Sequence, residues 1–214
     1  MDDFPDTAVP LPLLDKGTLV TSRLFEAYLA CPTKCYLQSI GKAAPGNDFT
    51  TWDETRSESY RLDGVRRLIA DHPRGIDVGL PDPRHWKHAP WHFVSDQVVR
   101  TQNSEVRLHA VQRIPLEGTN QSSQFIPIRF VPANKLARAD KLMAGFEALA
   151  LSKALGVKVG MAKIIHGDKG ATFKVRANTL SRVVNKTIGQ VVTLLSASAP
   201  PDLILNRHCP ECGF

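Results

Sequence analysis

Residues 125–131 read FIPIRFV, and this short apolar stretch decides how the rest of the chain is arranged. Its alternation predicts a β-strand with two distinct faces. The first face carries Ile126, Ile128 and Phe130, and the second carries Phe125, Arg129 and Val131. Pro127 has no N–H group and so removes one hydrogen bond from the ladder. We therefore expect this strand at the edge of a sheet or beside a bulge.

Further strand-like segments lie on both sides of this stretch. HFVSDQVVR (92–100) and VRLHAVQRI (106–114) precede it, and the second of these alternates clearly between apolar and polar residues. After it, VKVGMAKII (157–165), the turn HGDKG and ATFKVR (171–176) have the pattern of a β-hairpin. The chain thus supplies about five strands for one central mixed sheet.

Apolar residues at helical spacing predict four helices around these strands. The first carries the stripe within TSRLFEAYLA and is interrupted at Pro32, and the second covers residues 51–69. The third begins with Asp140 as its N-cap and ends before Gly156, and the last covers residues 179–196. The helices flank the sheet on this reading, which is the pattern of an α/β fold.

The remaining segments set the domain limits. The proline-rich residues 71–92 are incompatible with long regular structure, so we expect an exposed loop there. Residues 1–18 combine proline and aspartate without periodicity, which favours a loosely ordered lead-in. Residues 19–214 then form a single domain with a helical N-terminal arm.

Composition places the chain among ordinary globular proteins. Of 214 residues, 43% are hydrophobic and 22% are charged, and the formal net charge of +6 is compatible with nucleic-acid binding. No apolar run reaches the roughly 18 residues of a membrane span, so no membrane partner is expected. The start, MDDFPDTAVP, lacks the basic and apolar regions of a secretory signal. We therefore expect a cytoplasmic protein with reduced thiols.

The four cysteines occur as two pairs near opposite ends of the chain. Cys31 and Cys35 lie in CPTKC, and Cys209 and Cys212 lie in HCPECGF. In a reducing compartment, pairs at this spacing are typical of zinc or iron–sulfur ligands. The alternative is that they are buried thiols acting as small apolar side chains. We favour a metal-binding clasp formed by residues 31–35 and 207–214.

Five segments carry a family resemblance: TSRLFEAYLACPTKCYL, QFIPIRF, ALSKALG, KIIHGDKGATFKV and ILNRHCPECGF. Together they resemble the RecB-like branch of the PD-(D/E)xK nuclease superfamily that carries an iron–sulfur cluster. That branch includes the CRISPR-associated RecB-like exonucleases and the AddB nuclease domain. The resemblance implies a restriction-endonuclease-like core and DNA processing. It also implies that the chain is the N-terminal region of a longer protein, followed by an RNase H-like or helicase domain.

By the same resemblance, Cys31, Cys209 and Cys212 match ligands of a structural 4Fe-4S cluster that joins the arm to the C-terminal tail. The fourth ligand of the family lies six residues beyond the position of Cys212, where this sequence has ended. Cys35 is the other possible fourth ligand. A tetrahedral zinc site of four cysteines, in an interaction domain without nucleic-acid chemistry, is the alternative.

The resemblance also locates a hydrolytic centre that this chain does not reproduce. In active relatives an Asp on one strand and Glu-x-Lys on the next hold Mg²⁺ or Mn²⁺ and activate water. By the resemblance, the corresponding residues here are Arg129 at the Glu position and Val131 at the Lys position, and the preceding strand offers only His109, Gln112 and Arg113 where an Asp is expected. Met143 stands where a Gln is usual. We expect a degraded centre with a binding or scaffold role.

Two alternatives remain for the cleft. Migrated catalytic groups would make the chain an active Mg²⁺- or Mn²⁺-dependent DNA exonuclease, with Asp140, Lys141 and Lys135 as candidates. Otherwise its basic residues bind DNA, preferably single-stranded, or are simply solvated. The candidates for phosphate binding are Arg113, Arg129, Lys135 and Arg138.

A tryptophan- and histidine-rich segment is a separate candidate. HWKHAPWH places His85, His88 and His92 around Trp86 and Trp91. Such residues could bind a metal or stack on bases. The simpler interpretation is that the segment only anchors its tryptophans on the surface.

Overall fold

The computed structural model describes residues 19–72, 76–78, 86, 91–115 and 123–214. The first 18 residues, like His85 and His88, lie outside this part, so the expectations for them stay open. The seven strands of the described part are β1 (Val20–Thr21), β2 (Ile76–Val78), β3 (Phe93–Arg100), β4 (Ser104–Ile114), β5 (Gln124–Val131), β6 (Met161–His166) and β7 (Ala171–Arg176). The five helices are α1 (Ser22–Ala30), α2 (Pro32–Ser39), α3 (Asp48–Asp71), α4 (Arg138–Leu155) and α5 (Ala177–Leu195).

These elements form a mixed sheet with helices packed against it. The strand order is β2-β3-β4-β5-β6-β7, and the two residues of β1 pair with the start of β4. β3, β4 and β5 form an antiparallel meander, β6 runs parallel to β5 after the crossover through α4, and β7 closes a hairpin with β6. The mixed α/β architecture, the three strand runs, the hairpin and the helix break at Pro32 are confirmed as predicted.

Pro127 does not mark an edge. β5 lies inside the sheet between β4 and β6, so that expectation is wrong. Pro127 is paired with Val111 of β4, and the register with β6 begins only at Ile128. The proline therefore stands at the last position before β5 acquires a neighbour on its second side.

The two faces of β5 point into two apolar clusters, as the alternation predicts. Ile128 and Phe130 join a smaller cluster beneath α3, together with Val65, Phe93 and Ala110. Phe125 and Val131 join the main core, where α1, α4 and α5 pack. In that core the rings of Phe25 and Phe146 stack at a centroid distance of 4.2 Å. Burial of these faces supplies the main driving force for the fold.

Two further predictions need correction. The segment 71–92 is not simply an exposed loop: it contains β2, and Trp86 and Trp91 are buried, with 1% and 2% of their surface exposed. Their rings meet edge to face in the core, where they cannot stack on bases. Asp140 is not the N-cap of α4, which is Ala137. Its Oδ2 instead accepts the backbone N–H of Ala137 at 2.7 Å from the third position of the helix.

None of the helices in the described part of the chain combines the length and apolar character that crossing a membrane requires.

Gly64 allows α3 to approach β5. A Cβ at this position would overlap the ring of Phe130, whose Cγ would lie 2.9 Å away. We expect Gly64→Ala to lower the free energy of unfolding by about 2 kcal/mol because the core is overpacked. Thermal denaturation should then show a melting temperature lower by about 4–8 °C. Gly189→Ala in α5 is the control, since nothing lies within 4 Å of its added Cβ. Equal melting temperatures for the two variants would contradict this packing.

Candidate metal centre and the neighbouring cleft

The two ends of the chain meet through backbone and side-chain hydrogen bonds. Nδ2 of Asn206 donates to the carbonyl of Ala30 at 3.3 Å. Nδ2 of Asn47 donates to the carbonyl of Cys212 at 3.1 Å, and N–H of Gly46 donates to the carbonyl of Gly213 at 3.1 Å. Asn47 also caps α3, since its Oδ1 accepts the N–H of Thr50 at 2.8 Å. Residues 206–213, called the tail below, are therefore docked between the end of α1 and the start of α3.

This docking brings three of the four cysteines to one cavity. Cys31, Cys209 and Cys212 all line a cavity of about 190 Å³ between α1, α3 and the tail. Cys31 lies in the extended bend between α1 and α2, which Pro32 enforces. Cys209 begins a 3₁₀ turn, and the N–H of Cys212 donates to its carbonyl at 3.1 Å. Cysteines that are separated by nearly the whole sequence of the domain thus line one cavity.

Asn206 holds the thiol of Cys209 in place. Its backbone N–H donates to Sγ of Cys209 at 3.2 Å, and its Oδ1 accepts from the same Sγ at 3.9 Å. Within the described residues, however, no three His, Cys, Asp or Glu side chains stand close enough together to hold a metal ion as they are placed. The donor set fits a soft metal centre.

Cys35 is not part of this cavity. It lies one turn into α2, is fully buried and packs in the main apolar core. Burial raises the pKa of its thiol to about 11, so the thiol stays protonated at neutral pH. The structure thus places the possible fourth ligand among core side chains, in agreement with the interpretation of a buried thiol as a small apolar group.

Beside the cysteine cavity lies a polar cleft of about 600 Å³. The register of β4 and β5, in which Ala110 pairs with Ile128, puts His109 beside Arg129. Both residues line the cleft. By the resemblance, Arg129 stands at a carboxylate position, and His109 is one of three polar residues on the strand expected to supply the Asp. The two residues carry a guanidinium and an imidazole.

Arg129 forms ion pairs with two carboxylates. Its Nη1 donates to Oε1 of Glu147 at 2.8 Å and its Nη2 donates to Oε1 of Glu26 at 2.9 Å. Burial alone would lower the pKa of Arg129, but Glu26 and Glu147 outweigh it and keep the guanidinium charged. Glu147 is fully buried, and burial raises its pKa against the opposing effect of Arg129. Arg129, expected to contact phosphates, is 9% exposed and neutralised inside the protein, so that expectation is corrected.

The imidazole of His109 is partly buried and accepts a hydrogen bond from the backbone. Its Nδ1 accepts the backbone N–H of Phe130 at 3.1 Å, which leaves the ring proton on Nε2. Burial lowers its pKa well below the usual range, and the charges of Arg129, Arg61 and Arg107 lower it further. Such a ring provides no anionic oxygen for Mg²⁺.

A second ion-pair group lies next to His109. Arg61 is buried and binds Glu58 from within α3 and Asp96 from β3. Asp96 has a φ of +53°, a left-handed conformation that interrupts the regular pairing of β3 with β4. Arg107 also contacts Asp96, at 3.2 Å. The arginines of this region are therefore compensated by carboxylates.

The cleft does not form the positive groove that we expected. Its lining contains four Lys and Arg side chains and five Asp and Glu side chains, namely Arg23, Lys34, Arg61, Arg129, Glu26, Asp53, Glu54, Glu58 and Asp140. Because acidic side chains outnumber basic ones in this lining, the cleft has no excess of positive charge to attract phosphates.

The candidate catalytic residues are not assembled at this cleft. Asp140 lines it, but its carboxylate closes the first turn of α4. Neither Lys135 nor Lys141 belongs to the lining. Nζ of Lys141 instead lies over the ring of Phe173, 4.9 Å from its centre. Neither of the two candidate lysines therefore lines the cleft with His109 and Arg129.

The remaining phosphate-binding candidates separate into two groups. Arg113 is half-buried and already has a partner in the structure. Lys135 and Arg138 are exposed at the start of α4, close to Lys141 in sequence. The turn between β6 and β7 adjoins them, because Asn134 exchanges hydrogen bonds with Asp168 at 2.8 and 2.9 Å. We call Lys135, Arg138, Lys141, Lys169 and Phe173 the basic patch, in which Asp168 is the carboxylate that bonds to Asn134.

Sequence reasoning missed four residues that shape these sites: Glu26, Glu147, Asn206 and His208. Glu147 carries a recognisable signal, since it is a charged residue on the otherwise apolar inner face of α4, next to Phe146. Asn206 and His208 precede the second cysteine pair directly, and polar residues next to a ligand pair are candidates for supporting contacts.

Comparisons with known proteins do not assign a family. No family model matches the chain, and no curated protein matches it. A solved structure, "Crystal structure of SSO0001", is similar over 95% of this chain and 87% of its own, with 13% sequence identity and a TM-score of 0.45. Similarity at this level assigns neither a family nor an activity.

Proposed function

We propose that the chain is a RecB-like, nuclease-fold module for DNA processing that binds nucleic acid without cutting it. One observation carries the proposal: Arg129, which stands at the Glu position by the family resemblance, is held by Glu147 and Glu26. The antiparallel meander β3–β5, the crossover helix α4 and the parallel strand β6 support it, since they follow the element order on which the family resemblance rests.

The loss of hydrolysis follows from the charges in the cleft. A guanidinium repels Mg²⁺, and it holds the nearby carboxylates of Glu26 and Glu147 that would otherwise be the best ligands. His109 presents an N–H group, and Val131 lacks the amine that assists the attacking water in relatives. Without a bound divalent ion, nothing in this cleft activates the attacking water and bridges the phosphate as the metal does in active relatives.

We further propose that Cys31, Cys209 and Cys212 bind an iron–sulfur cluster, with zinc as the alternative occupant. Their shared cavity and the N–H donor to Cys209 support this assignment. The group would supply a cross-link between the N-terminal arm and the tail, in addition to the hydrogen bonds that join them. It would act on stability and not on bond cleavage, since its ligands stand outside the strands that carry His109 and Arg129.

The basic patch is the surface that we propose for nucleic acid. Among the described residues, its four cationic side chains form no ion pair, in contrast to the arginines of the cleft. Phe173 is 38% exposed, and Nζ of Lys141 lies over its ring, 4.9 Å from the centre. Cations without carboxylate partners bind the phosphates of single strands, and an aromatic ring on the same surface can add stacking with a base.

Charge reversal tests this surface. We expect Lys135→Glu combined with Arg138→Glu to weaken binding of labelled single-stranded DNA by at least about tenfold at low salt, because two phosphate contacts are lost. The slope of log K against log salt concentration should become shallower by about 1.4. Fluorescence anisotropy over a salt series measures both quantities. The same DNA should remain intact in the presence of Mn²⁺.

The matched control reverses two cations on another face. Arg182→Glu combined with Lys186→Glu changes the net charge by the same amount on the exposed side of α5. Equal loss of affinity in both double variants would show that only net charge matters and would contradict the assigned surface. Cleavage of the DNA in Mn²⁺ by the wild-type chain would contradict the loss of hydrolysis.

A further inference from the structure

The sheet face on which α3 packs extends beyond this helix to β6 and β7. α3 lies over β4 and β5, where Ile128 is buried beneath it. Strand alternation places Lys163 and Lys174 on the same face, because their neighbours Ile164 and Val175 belong to the main core on the other face. Lys163 is half-buried and Lys174 is exposed. Two lysines therefore stand beside α3 and not beneath it.

These two lysines are direct cross-strand neighbours. Lys163 pairs with Lys174 in the antiparallel register of β6 and β7, and like charges at such positions destabilise a sheet. Within the part of the chain that the structure describes, neither lysine forms an ion pair with a carboxylate. Arg176 follows two residues later on the same face of β7 and is also exposed. An anion bound between the lysines would relieve this repulsion.

Lys163 is held in place by a hydrogen bond along the sheet face. Its Nζ donates to Oε1 of Gln112 on β4 at 2.6 Å, across the intervening strand β5. An ammonium group has three N–H donors, and among the described residues this contact uses one of them. Burial lowers the pKa of the amine, and the charge of Lys174 lowers it further. A lysine that is already fixed and partly desolvated loses less entropy and hydration when it binds an anion.

We propose that Lys163 and Lys174 form a binding site for a phosphate group, on the opposite side of β7 from the ring of Phe173. Lysine binds phosphate as a point charge, and a phosphate has several oxygen atoms, so both amines can donate to one group. Phe173 directly precedes Lys174, and the two side chains therefore lie on opposite faces of the strand.

The position of β7 connects this site to the basic patch. β7 is the last strand of the described sheet on this side, so a nucleic-acid strand on the basic patch can pass around its edge. A backbone phosphate of that strand would then reach Lys174 and Lys163. This source of the phosphate rests on the proposed function, whereas the site itself rests on the paired lysines and also suits the phosphate of a free nucleotide.

Limited acetylation of the full chain measures whether the site is occupied. The unprotonated amine is the reactive form, and the lowered pKa of Lys163 increases its share. Peptide mass spectrometry compares Lys163, Lys174 and the exposed Lys186 of α5 in chloride, in inorganic phosphate and with oligothymidylate, at equal ionic strength. With oligothymidylate at about ten times its dissociation constant, acetylation of Lys163 and Lys174 should fall about tenfold, because only free sites react. Lys186 should be acetylated equally throughout.

A double variant tests the same site through affinity. Lys163→Gln combined with Lys174→Gln should make the slope of log K against log salt concentration for oligothymidylate shallower by about 0.7, because one phosphate contact is lost. Arg182→Gln combined with Lys186→Gln removes the same charge from α5 and should keep the wild-type slope. The melting temperature of the first variant should not fall, since a like-charge pair has been removed.

The outcomes separate this site from the proposed function. Protection by oligothymidylate alone supports a nucleic-acid backbone as the source, and protection by inorganic phosphate as well supports a site that also accepts free phosphate. Equal acetylation of Lys163 in all three solutions would overturn the site, even if the basic patch binds DNA. Equal protection of Lys186 would overturn it as well. A wild-type chain that does not bind oligothymidylate, but whose Lys163 is protected by inorganic phosphate, would overturn the proposed function and leave the site in place.

Discussion

Replacing Cys31 by Ser is expected to abolish metal binding and to lower the melting temperature by about 8–16 °C. The physical reason is that a bound group held at a thousand times its dissociation constant stabilises the folded chain by about 4 kcal/mol. For a chain of this size, each kcal/mol corresponds to about 2–4 °C. Differential scanning calorimetry together with metal analysis of the same sample measures both effects.

Cys35→Ser is the matched control for this experiment. It places a hydroxyl in the apolar core without a hydrogen-bond partner, which costs about 1–3 kcal/mol. The variant should therefore melt at a lower temperature and yet contain as much metal as wild type. Metal loss from Cys35→Ser with retention in Cys31→Ser would reverse the assignment of the ligands.

Removal of Glu147 is expected to have a comparable effect on stability. Glu147→Leu leaves the guanidinium of Arg129 buried with Glu26 as its remaining partner, and Glu26 has a mostly exposed side chain. Breaking a buried ion pair from one side costs about 3–5 kcal/mol. We expect the free energy of unfolding, measured by urea denaturation, to fall by that amount.

Two further variants separate the buried pair from the surface pair. Arg129→Met combined with Glu147→Leu should recover most of the lost stability, since no buried charge is left unpaired. Glu26→Ala should cost about 1 kcal/mol or less, as is usual for an exposed partner. A double variant as unstable as Glu147→Leu alone would show that the pair acts through packing and not through charge.

Local features of the sequence were enough to predict most of the elements. The alternation of residues 106–114 and 125–131 marks strands, and Pro32 marks a helix break, because each depends on neighbours within a few residues. The expected edge position of the strand that carries Pro127 is wrong. Local sequence does not show the pairing of β5 with β6, because a whole helix separates the two strands.

The candidate sites were predictable only in part. The convergence of Cys31 with Cys209 and Cys212 follows from the family resemblance, and the structure brings these residues to one cavity. The different position of Cys35 depends on α2: Cys31 is its extended N-cap, whereas Cys35 faces the core one turn later. The pairing of the Arg129 guanidinium with Glu147 and Glu26 could not be predicted from the sequence, because these partners are 18 and 103 residues away along the chain.

The central claim is that cysteines from both ends of the chain hold one metal centre. The most direct test counts iron, sulfide and zinc in anaerobically purified wild type, Cys31→Ser and Cys209→Ser. We predict about four iron and four sulfide per wild-type chain, or one zinc for the alternative occupant, and complete loss of that content in both variants. Full metal retention in either variant would contradict a centre shared between the two ends.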